Sequence, residues 1–127
     1  MPRWDFNLTV VNEMDRDLKL ITESISWGDF ASHKYTIAKG ESTKYTLYSP
    51  GGAAYGYQFN LVFQDVLPKE GDKHYGTLTV DVDVPLTKDN KSSIQTTGLL
   101  ETSGWDGKLP AAGHDFSKTL SVSKKRI

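Results

Sequence analysis

The stretch Tyr75–Pro85, reading YGTLTVDVDVP, constrains the fold more than any other part of this chain. Leu78, Val80, Val82 and Val84 alternate with Thr77, Thr79, Asp81 and Asp83. Successive side chains of a strand point to opposite faces, so this order puts four aliphatic groups on one face and hydroxyls and carboxylates on the other. A helix would scatter those aliphatic residues around its circumference, and a strand of a fully buried parallel sheet would be apolar throughout. The pattern therefore predicts an antiparallel sheet solvated on one side. Pro85 ends the ladder because it has no amide hydrogen to donate.

The same period of two recurs along the chain. Phe6, Leu8 and Val10 alternate with Asn7, Thr9 and Val11 and stop at the polar, turn-like stretch Asn12–Asp17. Leu18, Leu20, Ile21 and Thr22 resume the pattern, so residues 4–23 are predicted to form a hairpin. Ser24–Asp29 reads as a short strand or bend, Lys39-Gly40-Glu41 as a turn and Lys44–Ser49 as another strand. After the small-residue loop Pro50–Ala54, the residues Tyr57, Phe59, Leu61 and Phe63 form a second strong run, whose natural partner is the Tyr75–Pro85 strand. The connection Val66–His74 carries Pro68 and Gly71, is long for a hairpin and is predicted to protrude. A polar loop at Thr87–Lys91, a weaker run around Ile94–Glu101, a loop at Ser103–His114 and a last strand near Lys118–Ser123 complete the chain. No window of helical length has an apolar period of 3.6. Short strands punctuated by turns, without helices between them, predict an all-β protein, and 127 residues suit one domain spanning the chain. The expected architecture is a single-domain antiparallel β-sandwich, with a closed barrel as the alternative.

Composition removes whole classes of function. Lys and Arg total 15 against 16 acids, so the basic footprint of a nucleic-acid binder is missing. There is no cysteine, hence no disulfide framework, Cys-ligated zinc or thiol nucleophile, which fits a cytoplasmic origin. The start, MPRWDFNLTVV, lacks the apolar core of a secretory signal, and no run approaches the ~20 apolar residues of a spanning helix. The expectation is a soluble protein, cytoplasmic in its producer or released, that meets any membrane from the soluble side.

Reactive constellations are equally sparse. His33, His74 and His114 lack the short spacings that place two imidazoles on one metal, and each reads as a surface histidine. Asp81 and Asp83 share their face with Thr77 and Thr79 and read as the wet side of a strand rather than a calcium or acid–base pair. Gly51 and Gly56 have P-loop separation, but Tyr57 stands where the phosphate-binding Lys belongs. No Ser sits in a Gly-x-Ser-x-Gly elbow. No catalytic residue, metal or cofactor is expected, and the protein is read as a non-enzyme. Asn7-Leu8-Thr9 and Asn90-Lys91-Ser92 match the glycosylation sequon, which matters only in a eukaryotic secretory pathway.

Three Trp and six Tyr remain to be explained, and Trp4, Trp27, Tyr48, Tyr55, Tyr75 and Trp105 fall near predicted turns. Amphipathic rings favour boundaries between apolar and wet surroundings, either sealing the ends of a sandwich or meeting a lipid headgroup layer. The order of residues bears on that choice. Trp4, an apolar strand ending at Asn12, then Asp17-Leu18-Lys19-Leu20 and Ser26-Trp27-Gly28 resemble the opening of the aegerolysins, small β-sandwich proteins of fungi and bacteria. Phe59-Asn60-Leu61, Pro68 and Gly71-Asp72-Lys73 are similar to that family's middle segment, Asp83-Val84-Pro85 to its Asp-x-Pro strand end, and Lys124-Lys125-Arg126 to its basic close.

The resemblance implies an aegerolysin- or actinoporin-like sandwich that recognises a membrane lipid of sphingolipid type. Its role would be the targeting component of a two-component pore-forming cytolysin, or of an insecticidal toxin, working with a perforin-type partner. It implies lipid-binding positions at Trp4, Trp27, Tyr55, Tyr57, Val82 and Leu86. The two tryptophans that flank the Asp-x-Pro in lipid-binding members are Val82 and Leu86 here, and the acidic headgroup reader is Tyr55, so the headgroup read by this chain is a separate question. The small residues of Pro50–Tyr57 would let a headgroup approach backbone amides. A lectin-like glycan-binding module is the alternative, since aromatic loops at a sandwich end also suit stacking on sugars.

Overall fold

The computed structural model describes residues 3–49 and 56–126. The strands are β1 (Trp4–Asn12), β2 (Leu18–Trp27), β3 (Asp29–Phe30), β4 (Thr36–Ile37) and β5 (Ser42–Ser49), then β6 (Tyr57–Asp65), β7 (Thr77–Val84), β8 (Lys91–Thr96), β9 (Leu100–Gly104) and β10 (Phe116–Lys124). They form two five-stranded sheets, ordered β3-β5-β1-β10-β9 and β4-β2-β6-β7-β8. Between the sheets lies one hydrophobic cluster fed by the dry half of each alternation, including Phe6, Leu8 and Val10 of β1, Phe59, Leu61 and Phe63 of β6, and Leu78, Val80, Val82 and Val84 of β7. Rings bridge the layers: Phe6 meets Phe59 edge-on at 5.4 Å, and Tyr45 of β5 meets Phe63 at 5.6 Å. The all-β sandwich expected from the alternation is the observed fold. Among the described residues no helix is long and apolar enough to cross a membrane.

The pairing of β6 with β7 is the one the sequence predicts, with Phe59 opposite Val82 and Leu61 opposite Val80. Three other pairings differ. Residues 4–23 do not form a hairpin, because β1 pairs with β5 and β10 in one sheet while β2 pairs with β4 and β6 in the other. The crossing is held by Asn12, which is fully buried; its amide donates to the carbonyls of Arg16 and Ile37, both at 2.9 Å, and accepts the Met14 amide at 3.0 Å. A polar stretch that reads as an exposed turn thus contains a buried clamp and a buried methionine. The run around Ile94–Glu101 is two strands, β8 and β9, in different sheets. Finally, β10 lies parallel to β1, with Val10 opposite Leu120, in sheets whose other described pairs are antiparallel.

The connection Val66–His74, most of whose residues are exposed, is tied down at its end by Asp65. This carboxylate is buried at the end of β6 and accepts the amides of Tyr75 at 2.8 Å and Gly76 at 3.1 Å through one oxygen. Its other oxygen pairs with Arg16 at 2.9 Å, and the same guanidinium donates to the Lys73 carbonyl at 2.7 Å while lying 3.8 Å from the Tyr75 ring centre. Residue types alone give no sign of this, since an Asp closing an alternating run looks like an ordinary turn residue.

His33 also departs from expectation. Its side chain is only 8% exposed, stacked on Phe30 at 3.7 Å, with its ring nitrogens 2.8 Å from the Ala31 carbonyl and the Glu23 carboxylate. Beside it Tyr45 is fully buried, and its hydroxyl has no hydrogen-bond partner among the described residues. Burial pushes the Tyr45 phenol up to about 12. A buried polar group without a partner costs roughly 1–3 kcal/mol, so Tyr45→Phe is expected to leave the protein as stable or up to about 1 kcal/mol more stable, read from urea denaturation midpoints. The effect has a pH signature. The folded state holds the neutral phenol, so stability declines as pH rises from the unfolded value toward about 12, and the variant loses that part of the decline.

Candidate functional site

At one end of the sandwich β2, β6 and β7 finish or begin side by side. Trp27 ends β2 and is followed by Gly28, whose φ of +92° belongs to the left-handed region; a Cβ there would lie 2.7 Å from the Tyr48 carbonyl oxygen and 2.9 Å from the Tyr57 Cβ. Glycine is thus needed for the turn that leaves Trp27 at the edge, 54% exposed. Opposite, β7 stops at Val84, Pro85 prevents another ladder bond, and Leu86 emerges 42% exposed. Gly56 fills the space between, where a Cβ would overlap the Val84 carbonyl. Gly56→Ala must push β6 and β7 apart, and is expected to lower stability by roughly 1–3 kcal/mol, measured by denaturant unfolding.

The result is a cleft of about 330 Å³ between Trp27 and Leu86, walled by Gly56, Pro85 and Lys88 and lined with Gln58 and Asp83. Beneath it Tyr57 is buried and its hydroxyl donates to the His114 carbonyl at 2.7 Å. Burial, reinforced by the nearby charges of Asp115 and Asp5, drives this phenol well above its ordinary pKa, so it serves as a neutral donor. His114 in turn lies flat on Trp4, with centroids 3.6 Å apart and planes at 8°. The loop that supplies His114 is anchored by Asn90, whose amide donates to the carbonyls of Pro110 at 3.1 Å and Gly113 at 2.9 Å. Arg3, paired with Asp5 at 2.7 Å and set 4.2 Å from the Tyr48 ring centre, completes this end.

The six positions picked out from the sequence divide accordingly. Trp27 and Leu86 meet at one cleft. Trp4 is half-buried, engaged with His114, and does not line the cleft. Tyr57 and Val82 are 1% and 2% exposed and belong to the core, because each falls on the dry phase of its strand. Their side chains pack in the core, while Tyr57 also borders the Trp27–Leu86 cleft and Val82 the neighbouring groove on the outer face of the sheet. Tyr55 and the loop Pro50–Tyr55 lie outside the described residues. Gln58, Asp83 and Lys88 line the cleft although the sequence did not single them out as ligand contacts. The signal of Gln58 and Asp83 was the wet half of the alternation, and that of Lys88 its polar loop, which identify exposed residues without saying what they stand beside.

Several solved structures share this arrangement of strands. IP-1A from Alcaligenes faecalis is 14% identical and superposes with a TM-score of 0.73 over 97% of this chain and 92% of that one. RahU protein, crystallised in complex with a TRIS molecule, is 15% identical with a TM-score of 0.71 over 98% and 97%. The fold is that of the aegerolysins. The lipid binding protein Nakanori is 13% identical with a TM-score of 0.67, over 97% of this chain and 71% of its own. No family model matches the sequence of this aegerolysin-fold chain, and no curated protein does. At these identities the likeness is one of backbone architecture, and the side chains of the cleft have to be read on their own chemistry.

Proposed function

We propose that this chain is a non-enzymatic lipid-recognition protein that docks on membranes through the Trp27–Leu86 end. The observation that carries this reading is the convergence of two large exposed apolar side chains on one cleft with polar lining. Ile21, Tyr35 and Val66, the other large apolar residues exposed among those described, do not line it. An indole and an aliphatic side chain at a rim can enter the interfacial layer, while Gln58, Asp83 and Lys88 remain at headgroup depth to hydrogen-bond. The shared fold with a lipid binding protein supports the reading.

Such a rim buries little area, so one molecule binds weakly and reversibly, and a membrane-inserting partner of perforin type would raise avidity by holding several copies together. In that role the chain is the targeting half of a pore-forming pair, a cytolysin or insecticidal toxin, and its ligand is a sphingolipid-like lipid. Tryptophan emission tests the docking. Vesicles that bind the protein should shift wild-type emission to the blue and leave Trp27→Phe emission nearly unchanged, since Trp105 is 8% exposed and Trp4 is covered by His114. An equal shift in both proteins would remove Trp27 from the contact.

A further inference from the structure

A second groove, of about 380 Å³, crosses the outer face of the β4-β2-β6-β7-β8 sheet and shares Gln58 and Asp83 with the Trp27 cleft. It is built from the wet half of the alternation. Asn60 stands opposite Ser24 on one side and Asp81 on the other, and in the next row Gln58 stands between Trp27 and Asp83, with Lys91 beyond. The Asn60 amide donates to Asp81 at 2.5 Å, which holds both groups in place. The Asp83 side chain makes no hydrogen bond or ion pair among the described residues and is available as an acceptor.

Neighbouring strands are about 4.8 Å apart, so these rows present alternating donors and acceptors in one plane, and the Gln58 row ends at an indole. A sugar ring matches that layout: its hydroxyls lie near one plane, adjacent pairs can donate to a carboxylate, and its C–H face packs on an aromatic ring. A phosphate in the groove would face two carboxylates against the one ammonium of Lys91, a net like-charge surrounding. A lone ammonium would use one carboxylate and leave the Ser, Gln and Asn groups without partners. We propose that the groove of Asn60, Asp81 and Asp83 takes the neutral sugar of a glycosylated membrane lipid, while Trp27 and Leu86 make the apolar contact. This rests on the lipid-recognition reading above and assigns its headgroup class.

The test is co-sedimentation with phosphatidylcholine–cholesterol vesicles that carry glucosylceramide, sphingomyelin or ceramide phosphoethanolamine, using wild type, Asp83→Ala, Asp83→Asn and Trp27→Ala. Hydrogen bonds to a charged group correspond to roughly tenfold or more in affinity each. Wild type should therefore prefer glucosylceramide vesicles, and Asp83→Ala should lose about tenfold there with an unchanged thermal midpoint. Asp83→Asn should fall between them, and excess methyl glucoside should compete. Equal binding to all three compositions, preference for either phosphate-bearing lipid, or an undiminished preference in Asp83→Ala would overturn the assignment while leaving lipid recognition intact. Pelleting with none of the vesicles would overturn both. Tight binding to free glycan that ignores Trp27→Ala would identify a soluble sugar as ligand and overturn the membrane source.

Discussion

Asp65→Ala is expected to lower the free energy of unfolding by roughly 3–5 kcal/mol, the largest loss of stability foreseen for a change away from the hydrophobic cluster. The substitution removes the acceptor of two backbone amides and leaves Arg16, whose side chain is only 13% exposed, with an uncompensated charge. It also frees the β6–β7 connection, because Arg16 ties Asp65 to the Lys73 carbonyl. Acid should mimic the mutation. Burial alone would raise the Asp65 carboxyl, but the amides of Tyr75 and Gly76, the Arg16 guanidinium and the nearby His74 outweigh it and bring its pKa below the ordinary carboxylate value. A depressed folded-state pKa gives stabilisation that is complete above the unfolded value and lost as pH falls through the folded one. Urea titrations at pH 7 and pH 3 should show a fall in wild-type stability that Asp65→Ala largely lacks. Parallel pH profiles for the two proteins would show that the carboxylate is not the group titrating.

The second large effect belongs to the rim. Trp27 is 54% exposed, so about 100 Å² of its surface faces water and would leave it on docking, worth roughly 2 kcal/mol or thirtyfold in membrane affinity. Trp27→Ala should therefore weaken vesicle binding by that factor with little change in unfolding midpoint. Leu86→Ala should give a smaller loss of the same kind, because Leu86 is 42% exposed and a smaller group. Trp4→Ala is a different case. Its ring is stacked on His114, so a loss of binding there has to be read beside a stability measurement before it is assigned to lipid contact.

How far the sequence discloses this site depends on which rule governs each residue. The alternation Thr77–Val84 identifies β7, its buried face and its partner, because a side-chain period of two is a local property. The same rule sends the side chains of Val82 and Tyr57 to the core, although Tyr57 still borders the cleft at the Trp27–Leu86 end. What local patterns do not contain is which strands share a sheet. Nothing in residues 4–23 shows that the chain changes sheet at Asn12 rather than turning back in a hairpin, and nothing in Phe116–Lys124 shows that this strand runs parallel to β1. Trp27 and Leu86 are legible singly, as aromatic and apolar residues at strand ends, but their meeting depends on the registers of β2, β6 and β7. Asp81 and Asp83 read correctly as the wet side of a strand, and their place in a groove emerges only when Asn60, Ser24 and Lys91 come alongside.

The most direct test of the central claim, docking through the Trp27–Leu86 end, is sedimentation of wild type and the Trp27→Ala, Leu86→Ala double variant with one panel of liposomes varied in headgroup and sterol. The account predicts that wild type pellets with a subset of compositions and that the double variant, with an unchanged melting midpoint, stays in the supernatant with all of them. Wild type and the folded double variant pelleting to the same extent would contradict it and move the membrane contact to another face of the sandwich.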